Sequence, residues 1–215
     1  MANNYYSNVR WEVFELIPKK NQQKILEIGC GTGATLGKLK NEGYASWTVG
    51  IEQNLNCENE ASKNNLDLFI GGNIECMDNE LSQKFDVILF LDVLEHLIDP
   101  WKVLKNTIRM LNNDGIIIVS IPNIRNISIL SKLIFQGRWD YQDSGLLDRT
   151  HLRFFTDKSF QEQLMGHIPE SRIEKIERNY DYMSKKKIWM KYIPFFKDFV
   201  TCQIIYKIIF IKSYL

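Results

Sequence analysis

Short apolar runs of strand length recur along the chain and alternate with helical patterns. Five of them are rich in Ile, Val, Leu or Phe and occupy residues 24–28, 47–51, 68–70, 85–91 and 115–121. Between the last two, apolar residues recur at spacings of three and four behind an Asp-Pro helix start. Strands that alternate with helices form parallel sheets with helices on both faces. The pattern therefore predicts a doubly wound, Rossmann-like α/β fold.

The two ends of the chain add to this architecture. Residues 172–180 and 199–209 predict two last strands, an antiparallel pair at one edge, so the sheet has seven strands and is mostly parallel. Residues 1–23 carry apolar side chains at helical spacing before a proline and predict an N-terminal helix. The length suits one domain, which we predict to span residues 1–215 with an insertion at 123–156.

A glycine turn follows the first strand. Gly29, Gly31 and Gly33 alternate with other residues in KILEIGCGTG, where glycine lets the backbone turn sharply and approach a ligand. A strand, a glycine turn and a helix together bind nucleotides at the carboxyl end of a sheet. The GxGxG spacing differs from the GxGxxG of NAD-binding proteins and disfavours NAD. Glu27 would repel a pyrophosphate but attract a ligand that carries an ammonium and a sulfonium.

The string Glu27-Ile28-Gly29-Cys30-Gly31-Thr32-Gly33 resembles motif I of the class I S-adenosylmethionine-dependent methyltransferases. The resemblance implies S-adenosylmethionine as the cofactor. It implies that its methionine part is held by a set of five residues, namely Glu27, Gly29, Cys30, Gly31 and Gly33.

The next two strand ends supply further candidate cofactor residues. Glu52 ends the second strand, where an acidic side chain can accept both ribose hydroxyls, and Gln53 follows it. After the third strand, the family resemblance implies that Asn73 and Ile74 contact the adenine. The family usually has Asp where Asn73 stands, and an asparagine in a glycine-rich loop is also a common turn former.

The fourth strand and its flank, FDVI followed by DVLEHLIDP, resemble motif IV of the same family. The resemblance implies cofactor contacts from Leu91, Asp92, Val93 and His96. His96 is equally well explained as a structural histidine at a helix start. The Asn/Asp-Pro-Pro-aromatic turn of enzymes that methylate amino groups is absent from the sequence, which disfavours amino groups of bases as acceptors.

The segment 123–156 departs from the strand and helix alternation and is where this family places acceptor specificity. LLDRTHLRFFT resembles a segment of bacterial methyltransferases encoded with cell-surface glycan enzymes. In an extended chain Arg149, His151 and Arg153 would share one face, which predicts His151 as general base and both arginines as substrate ligands. The other interpretation is that Asp148, Arg149 and His151 only fix the loop.

Composition and charge limit the classes of ligand and partner that we expect. A net charge of +1 gives no overall electrostatic attraction to nucleic acid, and four cysteines without a CxxC pair suggest neither zinc nor disulfides, so we predict no metal. No signal peptide or spanning segment is evident, which predicts a cytoplasmic protein. From Lys185 to the end of the sequence there are seven lysines, one aspartate and several aromatic residues. We expect this segment to be a solvated loop and a final strand; the alternative is a peripheral contact with an anionic membrane.

Together these patterns predict a methyltransferase that uses S-adenosylmethionine and acts on a hydroxyl of a small molecule or glycan. Two alternatives remain open at this stage. One is a non-catalytic module that keeps the cofactor fold, and the other is an NAD-linked oxidoreductase.

Overall fold

The computed structural model describes residues 7–20, 22–77, 81, 83–180 and 188–211. Seven strands share one sheet. They are β1 (Lys24–Ile28), β2 (Trp47–Glu52), β3 (Leu68–Gly71), β4 (Phe85–Leu91), β5 (Leu111–Pro122), β6 (Ser171–Asn179) and β7 (Gln203–Phe210). Their order is β3-β2-β1-β4-β5-β7-β6.

The first five strands run parallel, and β7 inserts antiparallel between β5 and β6. This arrangement confirms the predicted seven-stranded, mostly parallel sheet and its antiparallel edge pair. The chain order reverses direction across the sheet between β1 and β4, the position at which doubly wound folds bind ligands outside the carboxyl ends of their strands.

Helices cover both faces of the sheet. They are α1 (Ala34–Asn41), α2 (Glu58–Lys63), α3 (Pro100–Ile108), α4 (Ile127–Gln136), α5 (Asp157–His167) and α6 (Pro194–Val200). Side chains alternate along β1, so that Leu26 joins the core under α3 and α5 while Ile25 joins the core under α1. This alternation explains why the strands read as continuous apolar runs, since both faces are buried.

Two end segments differ from the prediction. Instead of a helix over residues 1–23, the described part contains a six-residue 3-10 helix, Trp11–Leu16, whose buried side chains are Val13, Phe14 and Leu16. Residues 1–6 and 21 lie outside the described residues. The last strand begins at Gln203 rather than at residue 199, because Pro194 starts helix α6, which continues to Val200.

Within the described ranges, the structure has no helix that is both long enough and apolar enough to cross a bilayer.

Candidate active site

The glycine turn lies at the carboxyl end of β1 and needs its glycines. Gly29, Gly31 and Gly33 have φ values of 71°, 52° and 71°, in the left-handed region that other residues rarely adopt. A Cβ on Gly29 would lie 2.6 Å from Cγ2 of Val93, so the turn packs directly on the segment after β4. The predicted residues of two strand ends are therefore brought together here.

Glu52 ties the glycine turn to the loop after β2. Its Oε2 accepts a hydrogen bond of 2.9 Å from the Gly31 amide, and its Oε1 accepts one of 2.8 Å from the Asn54 amide. Each carboxylate oxygen keeps a second lone pair, so the group can still accept hydroxyl donors such as those of a ribose. Its position beside Gly31 fits the predicted role.

Cys30 offers the site its backbone rather than its thiol. The Sγ atom packs under β2, only 2.4 Å from where a Cβ on Gly50 would stand. Burial, followed by repulsion from Glu27 and Glu52, raises the pKa of this thiol above its ordinary value. A neutral, buried thiol fills space and does not act as a nucleophile.

Glu27 is an acidic side chain buried at the glycine turn. It is 4% exposed, and its Oε2 has no hydrogen-bond partner among the described residues. Burial raises the pKa of Glu27 from its ordinary value of 4.5 to about 8; Arg10 acts in the opposite direction and Glu52 adds to the rise. A ligand ammonium would supply both the missing hydrogen bond and the missing charge. These residues therefore fit the methionine part of S-adenosylmethionine.

Asn73 caps a turn, as one interpretation of the sequence expected. Its Oδ1 accepts a hydrogen bond of 2.9 Å from the Glu75 amide at the start of a 3-10 helix, Ile74–Cys76. The Asn73 side chain is exposed at the end of β3, and Ile74 is buried beside it. Gln53 is exposed after Glu52. The adenine contacts of these residues stay predictions.

Asp92 is held by the protein itself. Its carboxylate accepts hydrogen bonds from Nη1 of Arg10 at 2.6 Å, from Oγ of Ser120 at 2.9 Å and from Nε2 of Gln203 at 2.6 Å. Its φ of 58° places it in the left-handed region, at the end of β4 after Leu91. The side chain and the Asp92 amide, which donates a hydrogen bond of 3.1 Å to the carbonyl oxygen of Ser120, thus tie the ends of β4, β5 and β7 to Arg10.

Arg10 is a site residue that the sequence analysis missed. Its guanidinium bridges Asp92 and Glu12, each with one contact of 2.6 Å, and also donates to Ser120 at 3.0 Å. The N-terminal segment is therefore fastened across the carboxyl ends of β4 and β5. An isolated arginine before an apolar run was the only signal in the sequence, and it did not reveal the partner.

On the acceptor side, two histidines from distant parts of the chain face each other. His96 lies in the 3-10 helix Leu94–His96 and His151 in the loop before α5, with ring centroids 4.8 Å apart. Nδ1 of His96 lies 3.2 Å from the carbonyl oxygen and 3.1 Å from the hydroxyl oxygen of Thr150. Nδ1 of His151 lies 3.3 Å from the carbonyl oxygen of Leu146.

Glu95 completes this cluster and was also missed. It is 1% exposed, its Oε1 lies 4.0 Å from Nε2 of His151, and its Oε2 has no hydrogen-bond partner among the side chains described. Burial raises the pKa of Glu95 well above its ordinary value, and repulsion from Asp92 adds to the rise. Burial also lowers the pKa of His151, as does His96, against the attraction of Asp148.

The predicted shared face of Arg149, His151 and Arg153 is wrong, because the segment is not extended. The Asp148 carboxylate accepts hydrogen bonds from the amide and the hydroxyl of Thr150 at 2.8 and 2.6 Å, which closes a turn. His151 is buried, whereas both arginines are exposed.

Each arginine has a local partner. Arg149 pairs with Asp143 at 2.5 Å, and Arg153 donates a hydrogen bond to the carbonyl oxygen of Ile98. The turn fits the interpretation in which Asp148 fixes the loop, while the substrate roles of both arginines stay predictions.

A cavity of about 240 Å³ opens in the predicted insertion. Its lining includes Lys132, Gln142, Arg138 with its ion-pair partner Asp140 at 2.9 Å, and Leu146, the residue whose carbonyl oxygen contacts His151. The lining is therefore partly cationic and partly polar. Such a cavity suits a polar or anionic molecule of modest size.

A family model described as a methyltransferase domain matches residues 6–167. Among curated relatives, a ubiquinone biosynthesis O-methyltransferase of Coxiella burnetii is 29% identical over 105 residues, which cover 46% of this chain and 43% of that protein. The protein of the same description from Rickettsia bellii is 26% identical over 103 residues, 46% of this chain and 42% of that protein. The chain thus matches less than half the length of these relatives.

Solved structures share the fold at lower identity. The plantazolicin methyltransferase BpumL, in complex with SAH, superposes with a TM-score of 0.63 at 21% identity, over 96% of this chain and 79% of that one. A SAM dependent methyltransferase from Archaeoglobus fulgidus gives a TM-score of 0.63 at 17% identity, over 93% and 91% of the two chains. Since the family model covers most of the sequence, the chain belongs to the methyltransferase domain family.

Proposed function

We propose that the protein is an S-adenosylmethionine-dependent methyltransferase that acts on a hydroxyl oxygen of a small molecule or glycan. The observation that carries this proposal is Glu27, a carboxylate buried at the glycine turn with one oxygen that has no partner in the described structure. An ionised carboxylate buried in this way costs free energy unless a cation pairs with it, and the ammonium of a bound ligand would supply that cation.

Each part of the turn has a role in this proposal. Glu27 binds the ammonium of the methionine part, and the glycines let backbone atoms approach it. Glu52 accepts the ribose hydroxyls with the lone pairs that Gly31 and Asn54 leave free. When bound, the cofactor supplies a methyl group on a cationic sulfur. The protein accelerates its transfer mainly by holding the acceptor oxygen in line with that group.

The cavity beside His151 is the proposed acceptor site. Lys132 would attract an anionic group such as a phosphate, and Arg138 could join it from its ion pair with Asp140. Gln142 can exchange hydrogen bonds with hydroxyls. The resemblance of LLDRTHLRFFT to glycan-associated enzymes and the O-methyltransferase names of the curated relatives support an oxygen acceptor.

Calorimetric titration with S-adenosylmethionine, and separately with NAD, tests the cofactor assignment. We expect micromolar binding of S-adenosylmethionine and none of NAD. Glu52→Gln should lose that binding, because a neutral amide replaces one acceptor oxygen with a donor. Glu58→Gln, an exposed glutamate on α2, is the matched control and should bind normally. A folded protein without affinity for S-adenosylmethionine would contradict the proposal and favour a non-catalytic module.

A screen of acceptors then tests the reaction. Transfer of a labelled methyl group to nucleotide sugars, lipid-linked glycans and small phenols should identify one acceptor class. Lys132→Gln together with Arg138→Gln should raise the KM for an anionic acceptor without changing the affinity for S-adenosylmethionine. An unchanged KM would remove this cavity from the acceptor site.

We also propose that the enzyme works in the cytoplasm and can rest on an anionic membrane through its C-terminal segment. Tyr192 and Phe195 are 77% and 68% exposed, and Lys191 and Lys197 lie in the same region. Lys185 to Lys187 and residues 212–215 lie outside the described residues. Sedimentation with vesicles that contain phosphatidylserine should carry the protein down, whereas neutral vesicles should not; no difference between the two would contradict this contact.

A further inference from the structure

Glu95, His96 and His151 form a cluster of three metal-capable side chains. One ligand atom from each lies within 4.8 Å of the others. Two imidazoles and a carboxylate are a donor set for divalent transition metals, whereas magnesium and calcium prefer oxygen atoms alone. Three protein ligands also leave coordination positions open for water or a substrate oxygen.

Both imidazoles are oriented as metal ligands are. The Thr150 hydroxyl donates its proton to Asp148, so its oxygen can accept a hydrogen bond from Nδ1–H of His96. The carbonyl oxygen of Leu146 likewise accepts one from Nδ1–H of His151. In both rings this places the proton on Nδ1 and leaves the lone pair of Nε2 available. Metal-bound histidines almost always have such a partner behind the ring.

Glu95 provides independent evidence for a missing cation. Its side chain is 1% exposed, one carboxylate oxygen has no partner, and the other lies 4.0 Å from Nε2 of His151. No lysine or arginine in the described part of the chain pairs with it, since the nearby Arg10 is bound to Asp92 and Glu12. A bound divalent cation would satisfy this carboxylate and both Nε2 atoms at once.

We propose that Glu95, His96 and His151 bind a divalent transition-metal ion of the Mn²⁺ to Zn²⁺ series, which holds the acceptor oxygen for the proposed methyl transfer. The use of the ion in catalysis rests on the proposed function, but its binding does not. This assignment departs from the sequence analysis, which predicted no metal and a general-base role for His151.

The location of the cluster suits that use. Glu95 and His96 follow Val93, which packs on Gly29 of the cofactor turn, and His151 borders the cavity through Leu146. A metal ion here would lie next to the segment that packs on the cofactor turn and next to the loop that borders the cavity. It would lower the pKa of a bound hydroxyl, which loses its proton to solvent. The oxygen then forms the new bond to the methyl carbon as the carbon–sulfur bond breaks and the sulfur keeps the electron pair.

Titration with Mn²⁺, followed by the EPR signal of the free ion, tests the site in protein that carries no polyhistidine tag. We expect one ion per chain. Glu95→Gln and His96→Ala should each weaken binding by more than about 100-fold. His167→Ala is the matched control, since His167 stacks on Trp101 outside the cluster, and it should bind normally. Normal binding by both ligand variants, or no binding by the wild type, would overturn the proposal.

Calorimetry with S-adenosylmethionine separates this proposal from the proposed function. Glu95→Gln is nearly isosteric, so it should fold and bind S-adenosylmethionine as the wild type does, while it loses Mn²⁺. If the wild type binds S-adenosylmethionine but not Mn²⁺, the metal site is wrong and the methyltransferase assignment stands. If it binds Mn²⁺ but not S-adenosylmethionine, the metal site stands and the proposed function fails.

Discussion

Two buried glutamates, one in each half of the site, face the same physical problem. Glu27 lies on a regular strand at the glycine turn, and Glu95 lies on a single 3-10 turn against an irregular loop. Each has one carboxylate oxygen without a partner among the described residues, and burial raises the pKa of each. Their neighbours differ: Glu95 has two histidines beside it, whereas Glu27 has glycine backbone. The contrast suggests an organic cation for Glu27 and a metal ion for Glu95.

Arg10 connects the two halves. Its positive charge opposes the rise in pKa of Glu27 and of Glu95, and its guanidinium binds Asp92 between them. Because Asp92 lies between the end of β4 and the segment of Glu95, this ion pair helps to position both regions. Substitutions at Glu27, at Glu95 or at Arg10 therefore test whether the two regions bind separate ligands and whether Arg10 joins them.

The largest effect is expected when the link is cut. Arg10→Met should lower the free energy of unfolding by about 3 kcal/mol, because Asp92 is left in a partly buried site without its cation. Urea denaturation measures this loss. Arg10→Lys is the control and should lose less, since it keeps the charge but not the second contact to Ser120. A loss below about 1 kcal/mol for the methionine variant would show that Arg10 is not a structural link.

Replacing each glutamate by glutamine in turn should affect the affinity for S-adenosylmethionine differently in the two halves. Glu27→Gln should weaken S-adenosylmethionine binding by about 100-fold, because a charge-assisted hydrogen bond to the ammonium is lost. Glu95→Gln should leave that affinity within about twofold, since Glu95 is assigned to the metal and not to the cofactor. Calorimetry compares them directly. Equal losses in both variants would mean that the two carboxylates serve one ligand.

A methyl group added at Gly29 should disturb the cofactor half alone. Gly29→Ala should cost about 2 kcal/mol, from its left-handed φ of 71° and from a contact of 2.6 Å to Val93. Gly137, with a φ of 63° and nothing within 4 Å of an added Cβ, is the control, and Gly137→Ala should cost about 1 kcal/mol. Thermal unfolding measures both. Equal costs would show that the packing of the turn on Val93 is unimportant.

The smallest effect per step is expected from a change of one pH unit. Because the folded-state pKa of Glu27 is raised to about 8, the ligand-free protein gains stability from this group below pH 4.5 and loses it as the pH rises through 8. Binding of a cation requires the ionised form, so affinity should rise by up to about tenfold per pH unit between pH 5.5 and 7.5. Glu27→Gln should show a flat profile over that range. A flat profile in the wild type would refute the assignment.

The strand, glycine turn and helix of the proposed cofactor half were predictable because the sequence patterns that indicate them are local. Strand, glycine turn and helix follow one another within Lys24 to Asn41, and a parallel sheet places the end of each such unit at one edge. The alternation of Leu26 and Ile25 between two cores follows from the two-residue period of a strand. The prediction of an N-terminal helix was wrong, because a helical spacing of apolar residues also fits a short 3-10 helix such as Trp11–Leu16.

The sequence by itself determined the sheet, the position of the glycine turn and the acidic residues Glu27 and Glu52, because each depends on residues close together in the chain. Tertiary structure alone decided what Arg10 and Glu95 contact. Arg10 meets Asp92 across 82 positions, and His96 meets Thr150 across 54. No periodicity records such pairs, since they form only when β4, β5 and the loop before α5 are packed at one edge. The residues of the proposed cofactor site are therefore close together in the sequence, whereas those of the proposed acceptor side come together only in the folded chain.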